Sequence, residues 1–151
     1  MTSWTRKIRR AQRGNAMIEF VLVLPLLLVL LLGAIDWGFY FMIREAVINA
    51  TREGARVGSV ATSSAAATTD AKTAVRNYLS NAFGTTYSNA ATDARLVVGP
   101  TTVAGSPAVS VQLLNYPVVP GRPTTSITGF GAFTRVPTTI TSQSQMRLES
   151  P

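Results

Sequence analysis

One long apolar run dominates the pattern along the chain. From Phe20 to Ile35 there is no charged residue, and beyond Asp36 the apolar character resumes through Trp37, Phe39, Tyr40, Phe41, Met42 and Ile43. About 20 apolar residues are what a helix needs to cross the hydrocarbon core of a bilayer. A soluble domain could bury such a helix only inside a large core, and a chain of 151 residues leaves too few others to build one. The run therefore predicts a membrane-spanning helix. Pro25 lies inside it, a residue without an amide proton, which membrane helices tolerate where neighbouring groups satisfy the freed carbonyl.

The helical pattern continues from Arg44 to Gly58. Ala46, Ala50, Gly54 and Gly58 recur every four residues, which lines up small side chains on one face and lets another backbone come close. Glycine in a helix interior costs about 1 kcal/mol relative to alanine, so close packing is expected to offset Gly54 and Gly58. The partner on that face is either a neighbouring helix of another subunit or this chain's own sheet. Glu53 and Arg56, three apart, predict a weak exposed ion pair.

Residues 61–69 are rich in Ala, Ser and Thr and read as a loop or a frayed helical extension. Residues 70–83 form an amphipathic helix: Ala71, Ala74, Val75, Tyr78, Leu79, Ala82 and Phe83 follow the i, i+3, i+4, i+7 spacing. Thr69 or Asp70 can cap its start, and Gly84 suits its end. The period then changes. Residues 95–98 read as a short strand, and Val109, Val111 and Leu113 alternate with Ser110 and Gln112 as a half-buried one. Gly105, Ser106 and Pro107 before it are turn residues. Pro117, Pro120, Gly121 and Pro123 break regular structure, so residues 117–135 read as a long loop, whose Phe130 and Phe133 are either core plugs or exposed contacts. Residues 138–148 form the last strand, with Ile140, Met146 and Leu148 on one side. The predicted class is α+β: a long N-terminal transmembrane helix continuing into a small extracytoplasmic domain with a second helix and a roughly three-stranded antiparallel sheet. The boundaries expected are 1–14 for a basic leader, 15–60 for the long helix and 61–151 for the outer domain.

Charge orients this scheme. Arg6, Lys7, Arg9, Arg10 and Arg13 precede the apolar run with no acid among them, and the remaining nine basic and seven acidic residues leave the rest of the chain near +2 of the total +7. A nucleic-acid binder would spread its basic residues over a folded face. Here they abut a span, where the positive-inside rule explains them, so no nucleic-acid partner is expected. The N-terminus is placed in the cytoplasm and the C-terminus outside, with Asp36 as the first charge beyond the span and Trp37 and Tyr40 in the aromatic belt of the outer interface.

Chemistry is sparse. With no Cys and no His there is no disulfide, thiolate nucleophile or imidazole metal site. Beyond Glu53 the only acids are Asp70, Asp93 and Glu149, too scattered for paired-carboxylate chemistry or a calcium site. No phosphate-binding or dinucleotide motif occurs. The chain is not expected to be an enzyme, and no cofactor or metal is called for.

The basic head and apolar run admit three readings. A cleaved secretory signal should have an apolar core of about 7–15 residues and a small-x-small site, and Gly33-Ala34 before Ile35, Asp36 and Trp37 is a poor one. A plain uncleaved anchor is the second. The third rests on spacing. Gly14 ends the basic head and Glu19 follows five residues later, directly before Phe20. A carboxylate in a membrane segment costs about 2.5–3.5 kcal/mol at the helix centre, less near the interface, and is rarely there without a partner. Cleavage after Gly14 would create an α-amino group at Asn15 to supply one, and a helix N-terminus also favours negative charge. In the bland case Glu19 lies among headgroups.

The stretch Arg13-Gly14-Asn15-Ala16-Met17-Ile18-Glu19-Phe20 resembles the prepilin-peptidase site of type IV pilin-like proteins. With Pro25 in the span and the residues from Asn49 to Arg56, the chain is similar to the TadE-like pseudopilins of the tight adherence (Tad/Flp) pilus system. The motif-rich part covers residues 13 to about 60. Major pilins of that system are shorter and almost all helix, so the second half of this chain fits a minor pilin. It also lacks the length of the family's largest relatives.

The resemblance implies a minor pilin of the bacterial inner membrane, cut after Gly14 by a prepilin peptidase. It would act with other pilins and pilus assembly proteins of the Tad system in building pili for surface adhesion and biofilm formation, with a route into the extracellular fibre. Gly14 and Asn15 would be the processing residues, Glu19 and Phe20 would serve subunit assembly, and Ala46, Ala50, Gly54 and Gly58 would serve helix packing. The rivals are an uncleaved single-span envelope protein with an outward-facing binding domain and a membrane-resident component of secretion machinery.

Overall fold

The computed structural model describes residues 4–121, 127–129 and 131–148, with the side chains of residues 4–15, 131 and 132 left undescribed. In chain order the elements are α1 (Trp4–Ser59), α2 (Ser64–Phe83), α3 (Thr85–Ala90), β1 (Leu96–Val103), β2 (Ser106–Pro117), α4 (Gly131–Thr134) and β3 (Thr139–Arg147). The fold is α+β: a long apolar N-terminal helix, a second helix, and an antiparallel sheet in the order β1-β2-β3. Helix α1 runs unbroken through Pro25.

Its C-terminal part and α2 lie against one face of the sheet. α2 contributes a stripe spaced by four, Ala67, Ala71, Val75 and Leu79, all buried. α1 contributes Ile43, Val47, Ala50 and Ala55, and β2 answers with Val109, Val111 and Leu113. Leu79 and Val75 are fully enclosed.

Helix α2 begins six residues before the predicted Asp70. Its N-cap is Ser63, not Thr69 or Asp70, and the Ser63 hydroxyl accepts a hydrogen bond from the Ala66 amide at 3.2 Å. Residues 64–69 are therefore helix, held because Ala67 has a core position to fill. Gly84 does end the helix, at φ 89°, with its amide donating to Ser80 O at 2.8 Å.

The first two strands are longer than predicted. The tight turn between them is at Ala104 and Gly105, both at positive φ (50° and 79°), the conformation of a two-residue hairpin turn. Ser106 and Pro107, read as turn residues, belong to β2, where Pro107 pairs with Thr102. Pro100 similarly sits within β1, a position tolerated because β1 is an edge strand.

Beyond Leu113 the inward alternation of β2 is broken by a bulge. Leu113 pairs with Ser142, but Tyr116 pairs with Ile140, so β2 has one extra residue there. Asn115 absorbs it at φ 48°, and its amide donates to Thr141 Oγ1 at 3.2 Å. The extra residue reverses the alternation, so Tyr116 and Val118 are buried. The Tyr116 hydroxyl donates to Tyr87 O at 2.7 Å. That contact ties the sheet to α3, an element the hydrophobic pattern did not reveal. In β3, Ile140 is buried and Met146 and Leu148 are more open. Phe133 is exposed, which decides its two readings, whereas Phe130 lies outside the described residues.

Candidate assembly site

Helix α1 passes through two environments. In its first part the large side chains face outward: Met17, Ile18, Phe20, Leu22 and the leucines that follow are exposed, and none of the most apolar window of the segment Ala16–Ser59 is buried against the rest of the chain. A buried core helix is thereby excluded. The helix is long and apolar enough to cross a membrane. Gly14, Asn15, Glu19 and Phe20 all lie within continuous helical backbone, with Glu19 and Phe20 exposed.

In the second part the row of small residues faces inward. Ala46 and Ala50 are buried. A Cβ on Gly54 would stand 2.6 Å from Val75 Cγ2 and 3.1 Å from Ala71 O, and one on Gly58 would stand 3.2 Å from Val109 Cγ1 and 3.3 Å from Ala67 O. The close approach that glycine permits here is to this chain's own α2 and sheet. The buried hydroxyls of Thr51 and Ser142 share a hydrogen bond of 2.9 Å, which fixes α1 to β3.

Between the two parts stands Asp36. The sequence places it as the first charge beyond the span, yet it is only 2% exposed. Its Oδ1 accepts from the Thr128 amide at 3.1 Å, and its Oδ2 accepts from the Thr128 hydroxyl at 2.7 Å and the Thr134 hydroxyl at 3.4 Å. The neighbouring Trp37 indole N–H donates to Thr134 O at 3.1 Å. Residues more than ninety positions later thus fasten onto one turn of α1. Only the polarity of Asp36 in an apolar stretch hinted that it needed partners; which residues supply them was not readable.

The remaining charges lie on the outer domain. Arg56 grips Glu53 through two hydrogen bonds, of 2.7 and 2.9 Å. Those bonds lower the Glu53 carboxyl below its ordinary value and raise the guanidinium. Asp93 receives Lys72 at 2.9 Å and Arg76 at 3.1 Å, and the lysine's hydrogen bond is the main reason its carboxyl is lowered. Both sites are exposed, where such pairs contribute little. Tyr116 is shifted upward because burial disfavours its phenolate. Among the described residues, no group of three or more acidic side chains could hold a metal ion.

The row of exposed apolar side chains, the Gly14–Glu19–Phe20 spacing and the inward-facing glycines all belong to α1, and so does the similarity to known proteins. No curated protein and no solved structure matches the chain. Residues 14–56, all within α1, match the family model described as TadE-like protein.

Proposed function

We propose that the chain is a minor pilin of a Tad/Flp pilus, made as a prepilin in the bacterial inner membrane and cut after Gly14 by a prepilin peptidase. The observation that carries this reading is the start of the TadE-like match at residue 14, the last residue of the basic head. On this reading residues 1–14 are the leader, 15–60 the mature helix and 61–151 the outward-facing domain. The five basic residues hold the leader in the cytoplasm, and the C-terminal domain is extracytoplasmic.

The role is structural rather than catalytic. Within the membrane the mature helix is stored with its leucines in lipid. During assembly it leaves the bilayer and sets those same exposed side chains against other pilin helices. The Glu19 carboxylate pairs with an α-amino group at Asn15, on its own or a neighbouring subunit, and sets the axial register, while Phe20 packs beside it. Ala46, Ala50, Gly54 and Gly58 hold the helix to its head, supported by the clearances at both glycines. The assembled fibre serves surface adhesion and biofilm formation.

The test is the N-terminal residue and intact mass of the membrane-extracted protein, with and without the host's prepilin peptidases. A chain beginning at Asn15 only when a peptidase is present is the expected result. A chain still carrying Arg6 to Gly14 in both strains would overturn the reading and leave an uncleaved single-span envelope protein. Glu19→Gln is expected to be processed but to assemble poorly; normal assembly would remove its register role.

A further inference from the structure

The fastening at Asp36 changes where the membrane meets the protein. With its carboxyl enclosed by Thr128 and Thr134, no exposed charged side chain interrupts α1 from Phe20 to Ile43, and Arg44 is the next. Those 24 residues span roughly 36 Å at 1.5 Å per residue, against a hydrocarbon core of about 30 Å. Counted from Phe20, the hydrocarbon core ends near Phe39. Asp36 therefore lies inside the span rather than beyond it.

Helix α4 lies at that same depth. A Cβ on Gly33 would stand 3.4 Å from Thr134 Cγ2, and Trp37 donates to the Thr134 carbonyl, so α4 runs beside the turn from Gly33 to Trp37. Its Phe133 is 75% exposed, Ile35 and Phe41 of the neighbouring turns of α1 are also exposed, and so is Ile127 six residues earlier in the sequence. Water is an unfavourable surrounding for so much exposed apolar ring surface, and the outer leaflet of a bilayer supplies an apolar one at this depth. Non-helical backbone at membrane depth also needs its polar groups satisfied by protein, and Asp36 and Trp37 each satisfy one in this segment.

We propose that α4 and Ile127 form a second membrane contact, in which Phe133 inserts into the outer leaflet beside α1 and the Asp36–Thr128–Thr134 hydrogen bonds hold the segment at that depth. The proposal rests on the membrane-spanning reading of α1. It adds that the head is seated on the lipid surface rather than carried above it.

The chain has no cysteine, so single labels can be placed cleanly. Leu28→Cys, Phe133→Cys and Gln143→Cys are labelled with an environment-sensitive nitrobenzoxadiazole dye and the full chain is reconstituted into phosphatidylglycerol–phosphatidylcholine vesicles. Lipids bearing a nitroxide near the headgroup or near the chain end then act as depth-selective quenchers. Leu28 marks the span, and Gln143 marks the solvent face of the sheet. The expected result is severalfold stronger quenching at 133 than at 143 by the shallow nitroxide, with 28 quenched by the deep one. Quenching at 28 together with 133 behaving like 143 would overturn the proposal and leave the span intact. An unquenched 28 would overturn the span and the proposal with it. Adding Asp36→Leu to the Phe133→Cys chain is expected to lower its quenching toward that of 143; unchanged quenching would overturn the positioning role of Asp36.

Discussion

The two parts of α1 use the same backbone for opposite purposes. Before Asp36 the side chains are large, apolar and exposed; after Ile43 the row that matters is small and buried. A leucine-rich helix surface needs a solvent as apolar as itself, which a bilayer or a ring of like helices supplies, and it has no use for the rest of its own chain. A surface of alanine and glycine needs the reverse, a partner whose shape fits within a few tenths of an ångström. The first part can exchange one environment for another. The second cannot, because its partner is covalently attached and folded around it.

Substitutions separate the two parts, and the widest contrast pairs Leu79→Ala with Leu28→Ala. Leu79 is fully enclosed in the core, so its truncation should cost the outer domain about 3 kcal/mol, within the usual range for buried leucines. Leu28 is exposed on the span, and its truncation should leave unfolding of that domain unchanged. Urea unfolding in detergent micelles, followed by near-ultraviolet circular dichroism, reads both. Equal losses would erase the distinction. Gly54→Val comes next: the added side chain meets Val75 and the Ala71 carbonyl, and overpacking of this kind costs roughly 1–3 kcal/mol. The same substitution at Gly38, where a Cβ would meet nothing within 4 Å, should be far milder in the same assay.

Tyr116→Phe sharpens the comparison inside the buried part. Loss of the hydroxyl that bonds Tyr87 O should cost about 1 kcal/mol at neutral pH. The folded-state value of Tyr116 lies above that of a free tyrosine, so the neutral phenol contributes stability that is complete below pH of about 10 and is lost as pH rises further. Alkaline titration of the melting temperature should therefore fall less steeply in Tyr116→Phe than in the wild type. The smallest effect belongs to Glu53→Gln. Its pair with Arg56 is exposed, and its lowered carboxyl contributes stability only above the ordinary carboxylate range, lost as pH falls through the folded value. A change of a few tenths of a kcal/mol, vanishing in high salt, is expected from melting curves at two ionic strengths.

Much of this arrangement was legible from local pattern. The long helix declared itself through its apolar run and its small-residue spacing, and the polar-to-apolar alternation from Val109 to Leu113 marked the central strand. The start of α2 did not, because Ser63 is one of several hydroxyl residues able to cap, and alanines 65–67 carry little hydrophobic signal. The β2 bulge left a trace that could have been followed: inward apolar positions step by two to Leu113 and then jump by three to Tyr116. Ala104 gave no warning of its positive φ, since the neighbouring Gly105 alone suggested a turn. Asp36 is the instructive case. As a lone charge after an apolar run it marked a boundary, and only its contacts with residues 128 and 134 turn it into an interior residue. Gly14, Glu19 and Phe20 stood out in the sequence by their spacing alone.

The unbroken course of α1 makes the chain a rigid shaft with a fixed phase. Each residue between Glu19 and the turn at Gly33 advances the head by about 1.5 Å and rotates it by 100° relative to the Glu19 carboxylate at the other end. The direction in which the head faces is therefore counted in residues of the apolar part of α1. One residue inserted there would leave every contact of the head intact and point it a quarter-turn or more away from its neighbours.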